Sequence, residues 1–133
     1  MPSLYQINIS NGGVPKRPIK SAEVTSTGIV GDSQNDDVHH GGEERAICLF
    51  SLEVIEKFRD EGHPISPGSA GENLTLEGMT WDLLTPGSRL MVGPDVEIEI
   101  TSYTAPCAKN AAWFADGDFT RMMQGRHPGE SRL

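Results

Sequence analysis

The segment VHHGGEERAICLF, Val38 to Phe50, places a polar turn directly before a short apolar run. The run Ala46–Phe50 is continuously apolar and predicts a buried strand. The pair Gly41-Gly42 allows backbone conformations that other residues avoid, so it predicts a tight bend. His39 and His40 stand immediately before that bend. The segment therefore joins a strand of the core to a loop that can hold a metal-binding or ligand-binding site.

The composition is that of a folded domain with an acidic surface. The 133 residues suffice for one hydrophobic core, and 36% hydrophobic with 23% charged residues excludes a disordered chain. The net charge of −8 argues against nucleic acid or an anionic membrane as a partner, because both are polyanions. A small anionic ligand needs only a local patch and remains allowed. With no long apolar run and no signal-peptide pattern at its start, the chain is expected to be cytoplasmic.

Strand signals outnumber helix signals along the chain. Apolar residues alternate with polar ones in LYQINIS, Leu4–Ser10, and in VEIEI, Val96–Ile100, which predicts half-buried strands. The clearest helix begins at Ser51, which can cap its first turn, and a second short helix is predicted from Asp118. The pattern indicates a β-rich α+β fold, barrel-like, with residues 1–133 as a single domain.

The histidine pair has three readings. Adjacent residues on a strand point to opposite faces, so His39 and His40 do not readily share one metal, and a zinc site needs further ligands. A structural or ligand-facing turn is favoured over a zinc site. The third reading is an anion cradle, because backbone N–H groups around Gly41-Gly42 can form a positive concavity. PGSAGEN, Pro67–Asn73, has the same capability, so two glycine-rich loops can line one pocket.

The two cysteines stand in different contexts. Cys48 lies inside the apolar run and is interpreted as a small buried hydrophobic residue. Cys107 follows Pro106 on a loop at a strand end, with Lys109 two residues further on. A neighbouring ammonium can lower a thiol pKa, and a thiolate is both a nucleophile and a soft metal ligand. An incidental loop cysteine explains the same residues equally well.

Basic residues collect near the C-terminal end of the sequence. Arg121, Arg126 and Arg132 could bring several guanidinium groups to a phosphate, or they could belong to a solvated tail. Trp81 and Trp113 are expected to be packing residues, although either could border a pocket.

Several segments together resemble one known family. GIVGD, HHGGEERAICLFS, PGSAGENLTLEG, PGSRLMVG and EIEITSYTAPCAKN occur in the order found in MOSC domains, which are named after the C-terminal domain of molybdenum-cofactor sulfurase. The series H-G-G, G-E-N and P-C is specific, whereas none of the three is specific alone. The resemblance runs from about Leu4 to Leu133 and is greatest to the small stand-alone bacterial type.

The resemblance also bears on how complete the domain is. Family members continue past the segment matching PGESRL into one or two further strands, whereas this sequence stops at Leu133. A domain lacking its last strands would leave an exposed sheet edge. A partner such as a second copy in a homodimer would then cover it, unless the barrel is smaller or the sequence incomplete.

The resemblance further implies a molybdenum cofactor, a pterin that bears a phosphate and a dithiolene-bound metal. Cys107 matches the signature cysteine, as metal ligand, sulfur carrier or catalytic thiol. The implied cofactor-binding residues are His39, His40, Gly41, Gly42, Gly71, Glu72, Asn73, Lys109 and Arg121.

The implied activity is reduction of small N-hydroxylated compounds, with electrons supplied by a separate flavin reductase. A non-catalytic cofactor carrier and an interaction domain without a working site are the alternatives. The family association also brings pyridoxal phosphate as a further expected cofactor.

Overall fold

The structure is a computed structural model that describes residues 2–10, 12, 14–32 and 46–133. Its regular elements are mostly short strands with one α-helix. In chain order they are β1 (Ser3–Ile9), β2 (Arg17–Ile19), β3 (Val24–Thr25), β4 (Gly28–Ile29), β5 (Leu49–Ser51), α1 (Leu52–Asp60), β6 (Leu74–Glu77), β7 (Arg89–Val92) and β8 (Val96–Glu99). Among the described residues, three short 3₁₀ helices lie at Trp81–Leu83, Ala108–Trp113 and Phe119–Met122.

The main sheet has four strands in the order β2-β1-β6-β5. β1 pairs antiparallel with both β2 and β6, whereas β5 lies parallel to β6. The pairs β3–β4 and β7–β8 form separate two-stranded hairpins. The predicted sheet-rich fold with few helices is therefore confirmed. The strands that the structure describes do not close into a barrel, so the barrel-like part stays a prediction.

The short strand β5 separates two hydrophobic clusters. Leu49 packs in a cluster with Leu74 of β6, and Phe50 packs in the other with Phe58 of α1. Successive residues of a strand point to opposite faces, so a strand buried on both sides must be apolar at every position. This explains the continuous apolar run in the sequence. The strand itself is shorter than predicted, since it begins only at Leu49.

Helix α1 begins where the sequence predicted. Ser51 ends β5, and its hydroxyl accepts a hydrogen bond from the Val54 N–H at 3.2 Å, which caps the first turn. Ile55 and Phe58 are fully buried on one face. The second predicted helix is a 3₁₀ helix, Phe119–Met122, with Asp118 as its cap. No helix among the described residues has the length and apolar character to cross a membrane.

A buried ion pair connects the strands at one end of the sheet. Lys16 Nζ lies 2.6 Å from Asp32 Oδ2, and the two side chains are only 7% and 4% exposed. Asp32 also accepts hydrogen bonds from the Ser10 N–H and from Asn73 Nδ2, each at 2.9 Å. Asp32 therefore holds together the end of β1, the turn after β4 and the loop before β6.

The first prediction concerns this ion pair. We expect Asp32→Asn to lower the free energy of unfolding by about 3–5 kcal/mol, because it leaves the Lys16 ammonium buried without a counter-charge. Urea unfolding followed by circular dichroism measures the change. Glu56→Gln, at an exposed position of α1, removes the same charge and should change stability by less than about 0.5 kcal/mol. Equal stability of the two variants would contradict this role of Asp32.

Candidate functional site

The glycine-rich loop 67–73 packs tightly against the segment between β1 and β2. Gly68 has a φ of +88°, and a Cβ at this position would lie 2.5 Å from the Lys16 carbonyl oxygen. The Lys16 N–H donates to the Gly68 carbonyl at 2.8 Å. Only glycine fits both the backbone conformation and the close approach.

Most amides of this loop donate within the protein. Gly71 N–H bonds the Gly68 carbonyl at 3.2 Å, which closes a turn. The amides of Gly68, Ser69 and Asn73 also donate to acceptors in the protein. The loop is therefore a self-satisfied turn, and these four N–H groups are not free to cradle an anion.

Glu72 is fully buried and folds the loop back on itself. Its Oε2 accepts hydrogen bonds from the Gly68 N–H at 2.9 Å and from the Thr75 hydroxyl at 3.0 Å. Its Oε1 has no partner among the described residues. Burial raises the pKa of Glu72, and the hydrogen bonds from Gly68 and Thr75 offset the effect only in part.

Asn73 joins three segments that are distant in sequence. Its side-chain oxygen accepts from the Cys48 N–H at 2.9 Å. Its amide nitrogen donates to the Asn8 carbonyl at 3.3 Å and to Asp32 at 2.9 Å. With 1% exposure, the side chain lies inside the protein and presents no free polar atom to a pocket.

Arg132 links the glycine-rich loop to the segment that carries Cys107. Its Nη1 donates to the Ala70 carbonyl at 2.6 Å, and its Nη2 donates to the Ala105 carbonyl at 3.2 Å. The residue is 4% exposed, and its Nε has no partner among the described residues. None of the ion pairs that the structure describes includes Arg132. Its positive charge acts on the buried Glu72, where it offsets in part the burial that raises the pKa of that carboxyl.

Cys107 is an exposed free thiol. It lies in extended backbone immediately before the 3₁₀ helix Ala108–Trp113, and its carbonyl accepts from the Asn110 N–H at 2.9 Å. Lys109 is exposed on the same short helix. Ala105, two residues before the thiol, is the residue that Arg132 holds against the loop. Cys107 is thus exposed, and it lies two residues after a carbonyl that a buried guanidinium bonds.

Cys48 lies deeper beside the same segment. Its sulfur is 3.9 Å from the Thr104 hydroxyl, and burial raises the pKa of the Cys48 thiol, while the charge of Arg132 lowers it in part. The residue as a whole keeps partial exposure, so the expectation of a buried hydrophobic role holds for the environment of the sulfur rather than for the whole residue.

Arg121 is engaged on helix α1. It donates to both carboxylate oxygens of Glu61, at 2.8 and 2.6 Å, and it also bonds Glu130. Its guanidinium lies 4.6 Å from the centre of the Phe58 ring, and the hydrogen bonds that it donates to Glu61 raise the pKa of Arg121 further. Its described partners do not include the loop 67–73 or Cys107. Its predicted contact with a cofactor phosphate stays a prediction.

Four of the predicted cofactor-binding residues, His39, His40, Gly41 and Gly42, lie outside the described residues. Among the residues that are described, no three His, Cys, Asp or Glu side chains come together as a metal site. The sequence alone could not show that Arg132 has a different role from Arg121 and Arg126, because the difference lies in the burial of its side chain. No local signal in the sequence carries that information.

Comparison with known proteins identifies relatives over most of the chain. A family model described as MOSC domain matches residues 36–131. The uncharacterized protein YflK of Bacillus subtilis is 33% identical over 104 residues, covering 77% of this chain and 47% of that protein. A protein called a reductase from Gibberella moniliformis is 30% identical over 89 residues, covering 64% of this chain and 16% of that protein. The chain thus spans about half of YflK and less of the reductase.

Solved structures agree with the fold. The crystal structure of YiiM from Geobacillus stearothermophilus superposes with a TM-score of 0.75 at 23% identity. The match covers 99% of this chain and 65% of that one.

The second prediction concerns the buried Glu72. Its raised pKa means that the folded protein holds a proton that the unfolded chain releases near the ordinary glutamate value of about 4.3. Wild-type stability should therefore fall as pH rises above this value, relative to Glu72→Gln, which keeps an acceptor oxygen without the charge. Urea unfolding of both proteins at pH 4, 5, 6 and 7 measures the difference. Glu56→Gln should show no such trend, and a difference independent of pH for Glu72→Gln would contradict the assignment.

Proposed function

This chain belongs to the MOSC domain family, and from that membership we propose that it binds the molybdenum cofactor with Cys107 as thiolate ligand or sulfur carrier. One observation carries the proposal: Arg132 bonds Ala70 of the glycine-rich loop and Ala105 of the cysteine segment at the same time. These bonds hold together the glycine-rich loop and the cysteine segment. These two segments carry the G-E-N and P-C members of the family series, the members that the structure describes. An exposed thiol stands beside this junction in the sequence.

The exposed thiol and the buried guanidinium together suit a ligand that carries a metal at one end and an anionic group at the other. An exposed thiol suits molybdenum, because soft metals prefer sulfur. A buried guanidinium whose hydrogen bonds to described residues go to carbonyl oxygens suits an anion, because a buried charge is costly until it meets an opposite one. The free Nε of Arg132 offers a further donor for such a group. When bound, the cofactor supplies redox chemistry at its metal, which no side chain can provide.

The remaining predicted residues have supporting roles in this proposal. Asn73 and Glu72 fix the loop through buried hydrogen bonds, and Gly71 closes its turn. A Cβ at Gly71 would lie 3.8 Å from Arg132 Nη1, so this glycine borders the guanidinium. Lys109 is exposed close in sequence to the thiol and is proposed to add positive charge at the mouth of the site.

As an enzyme, the protein would reduce small N-hydroxylated compounds, with a separate flavin reductase as electron donor. The similarity to a fungal protein called a reductase supports this reading over part of the chain. A non-catalytic carrier is the second candidate, and the surface position of Cys107 favours it, because an exposed thiol can reach another protein. Pyridoxal phosphate finds no support in the structure or the comparisons and is not proposed.

The third prediction tests the thiol. Wild-type protein purified from a molybdenum-replete host should contain molybdenum, measured by inductively coupled plasma mass spectrometry. Cys107→Ala should lose most of it, whereas Cys48→Ala should retain it, since burial keeps the Cys48 thiol protonated and only Cys107 is exposed. Molybdenum absent from the wild type would overturn cofactor binding, and metal retained by Cys107→Ala would overturn the ligand role.

The same two variants separate enzyme from carrier. Cells that depend on this protein for resistance to N-hydroxylaminopurine should become sensitive when it carries Cys107→Ala. Equal protection by wild type and Cys107→Ala would contradict a catalytic role for the thiol.

The fourth prediction tests the anion site. Arg132→Met should weaken cofactor retention by about 1.5–3 kcal/mol, the usual range for hydrogen bonds to charged groups. Arg121→Met should retain cofactor but lower the unfolding midpoint, because Arg121 bonds Glu61 and Glu130. Retention is measured as molybdenum remaining after dialysis of folded protein, with unfolding followed in parallel. Loss of cofactor from Arg121→Met alone would transfer the anion site to that residue.

A further inference from the structure

A cavity of about 200 Å³ lies outside the predicted site. The 3₁₀ helix Trp81–Leu83 forms one side, and the segment near the C-terminal end of the chain forms another. The lining residues are Trp81, Asp82, Leu84, Tyr103, Gln124 and the turn Pro128–Gly129.

Hydrogen bonds and packing fix the walls of this cavity. Trp81 Nε1 donates to the Ser131 carbonyl at 3.4 Å, which holds the indole in place. Gln124 Oε1 accepts from the Gly129 N–H and from the Ser131 hydroxyl, each at 3.0 Å. Leu84 belongs to the buried hydrophobic cluster beneath. The cavity is therefore formed before any ligand arrives.

Two polar side chains on the lining are those of Asp82, which is exposed, and Tyr103, which is half-buried. The structure gives Asp82 and Tyr103 neither a hydrogen bond nor an ion pair with any residue that it describes. The Asp82 carboxylate extends over Gly129, where a Cβ would lie 2.7 Å from Oδ1. Gly129 also has a φ of +82°, so this position leaves space for the carboxylate that a side chain would remove.

The chemistry of the lining selects a cation. A carboxylate without a basic partner attracts positive charge, and the rings of Trp81 and Tyr103 add the aromatic surface on which cations bind. None of the described residues that line the cavity is a lysine or arginine, and the chain carries a net charge of −8, so an anion is disfavoured. A metal ion is disfavoured as well, because Asp82 is the single carboxylate on the lining.

We propose that this cavity binds a small organic cation that presents an ammonium, amidinium or guanidinium group to Asp82. A volume of about 200 Å³ lies below the roughly 300–1,000 Å³ of drug-sized ligand sites, so the ligand is small. The cation bonds the carboxylate and the Tyr103 hydroxyl, while its flat or apolar part lies against Trp81. The proposal does not depend on the cofactor.

The cavity nevertheless adjoins the candidate cofactor site. Thr104 pairs with Arg132 in an isolated β-bridge, and Tyr103, the residue before Thr104, lines the cavity. A ligand in contact with Tyr103 would therefore lie one residue from this bridge, on the segment that leads to Cys107.

The test uses benzamidine as the probe and benzamide as its neutral isostere. The chain has two tryptophans, so Trp113→Phe leaves Trp81 as the single indole reporter. Trp113 Nε1 is buried without a partner, and its removal costs no hydrogen bond. In this background, benzamidine should change the fluorescence saturably, and benzamide should bind at least tenfold more weakly. Isothermal titration calorimetry of the wild type checks the affinity without the reporter.

Substitutions then test whether the Asp82 carboxylate is the charged group that binds benzamidine. Asp82→Asn should weaken benzamidine binding at least tenfold, to the level of benzamide, without changing the unfolding midpoint, because Asp82 has no partner to lose. Glu56→Gln removes the same net charge on α1 and should leave binding unchanged. Equal binding of benzamidine and benzamide would overturn the proposal. Unchanged binding by Asp82→Asn, or an equal loss with Glu56→Gln, would overturn it too.

Discussion

The side chain of Asn73 is the constraint on which the sheet and the candidate site both depend. Its carboxamide bonds the backbone of β1 at Asn8, the backbone before β5 at Cys48 and the carboxylate of Asp32. The Asn73 side chain is buried, and a buried polar group left unpaired costs more than a typical hydrogen bond contributes. One side chain therefore fixes the relative positions of three segments that are distant in sequence. The neighbouring Lys16–Asp32 ion pair extends the same network.

The network explains why the G-E-N segment is built as it is. Glu72 and Asn73 direct their polar atoms inward, where they satisfy the backbone of their own loop and of the adjoining strands. Gly68 and Gly71 allow the turn to close against the Lys16 backbone and beside Arg132. The G-E-N segment, which the sequence suggests is a ligand-binding loop, therefore serves first to hold the loop itself in position. Arg132, held by that loop, is the group proposed to bind an anion.

The sequence predicted the regular elements well where one physical signal dominated. Alternation identified β1 and β8, a capping serine identified the start of α1, and the apolar run identified β5. Each of these signals depends on residues a few positions apart. The sequence also identified Cys107 as a loop thiol at a strand end, and the structure shows this residue as exposed. The separate roles of three nearby arginines had no such local signal, since Arg121 meets Glu61 from 60 residues away and Arg132 meets Ala70 from 62.

By itself, the sequence determined the class of fold, the family and the thiol, because periodicity, turn residues and ordered motifs are properties of neighbouring positions. Only the tertiary structure decided which charges are free. It paired Arg121 with two carboxylates and left Arg132 buried against carbonyl oxygens. It also left Asp82 without a basic partner at a cavity beside Trp81. Burial and partnership depend on which distant segments meet, and that is a property of the folded chain as a whole.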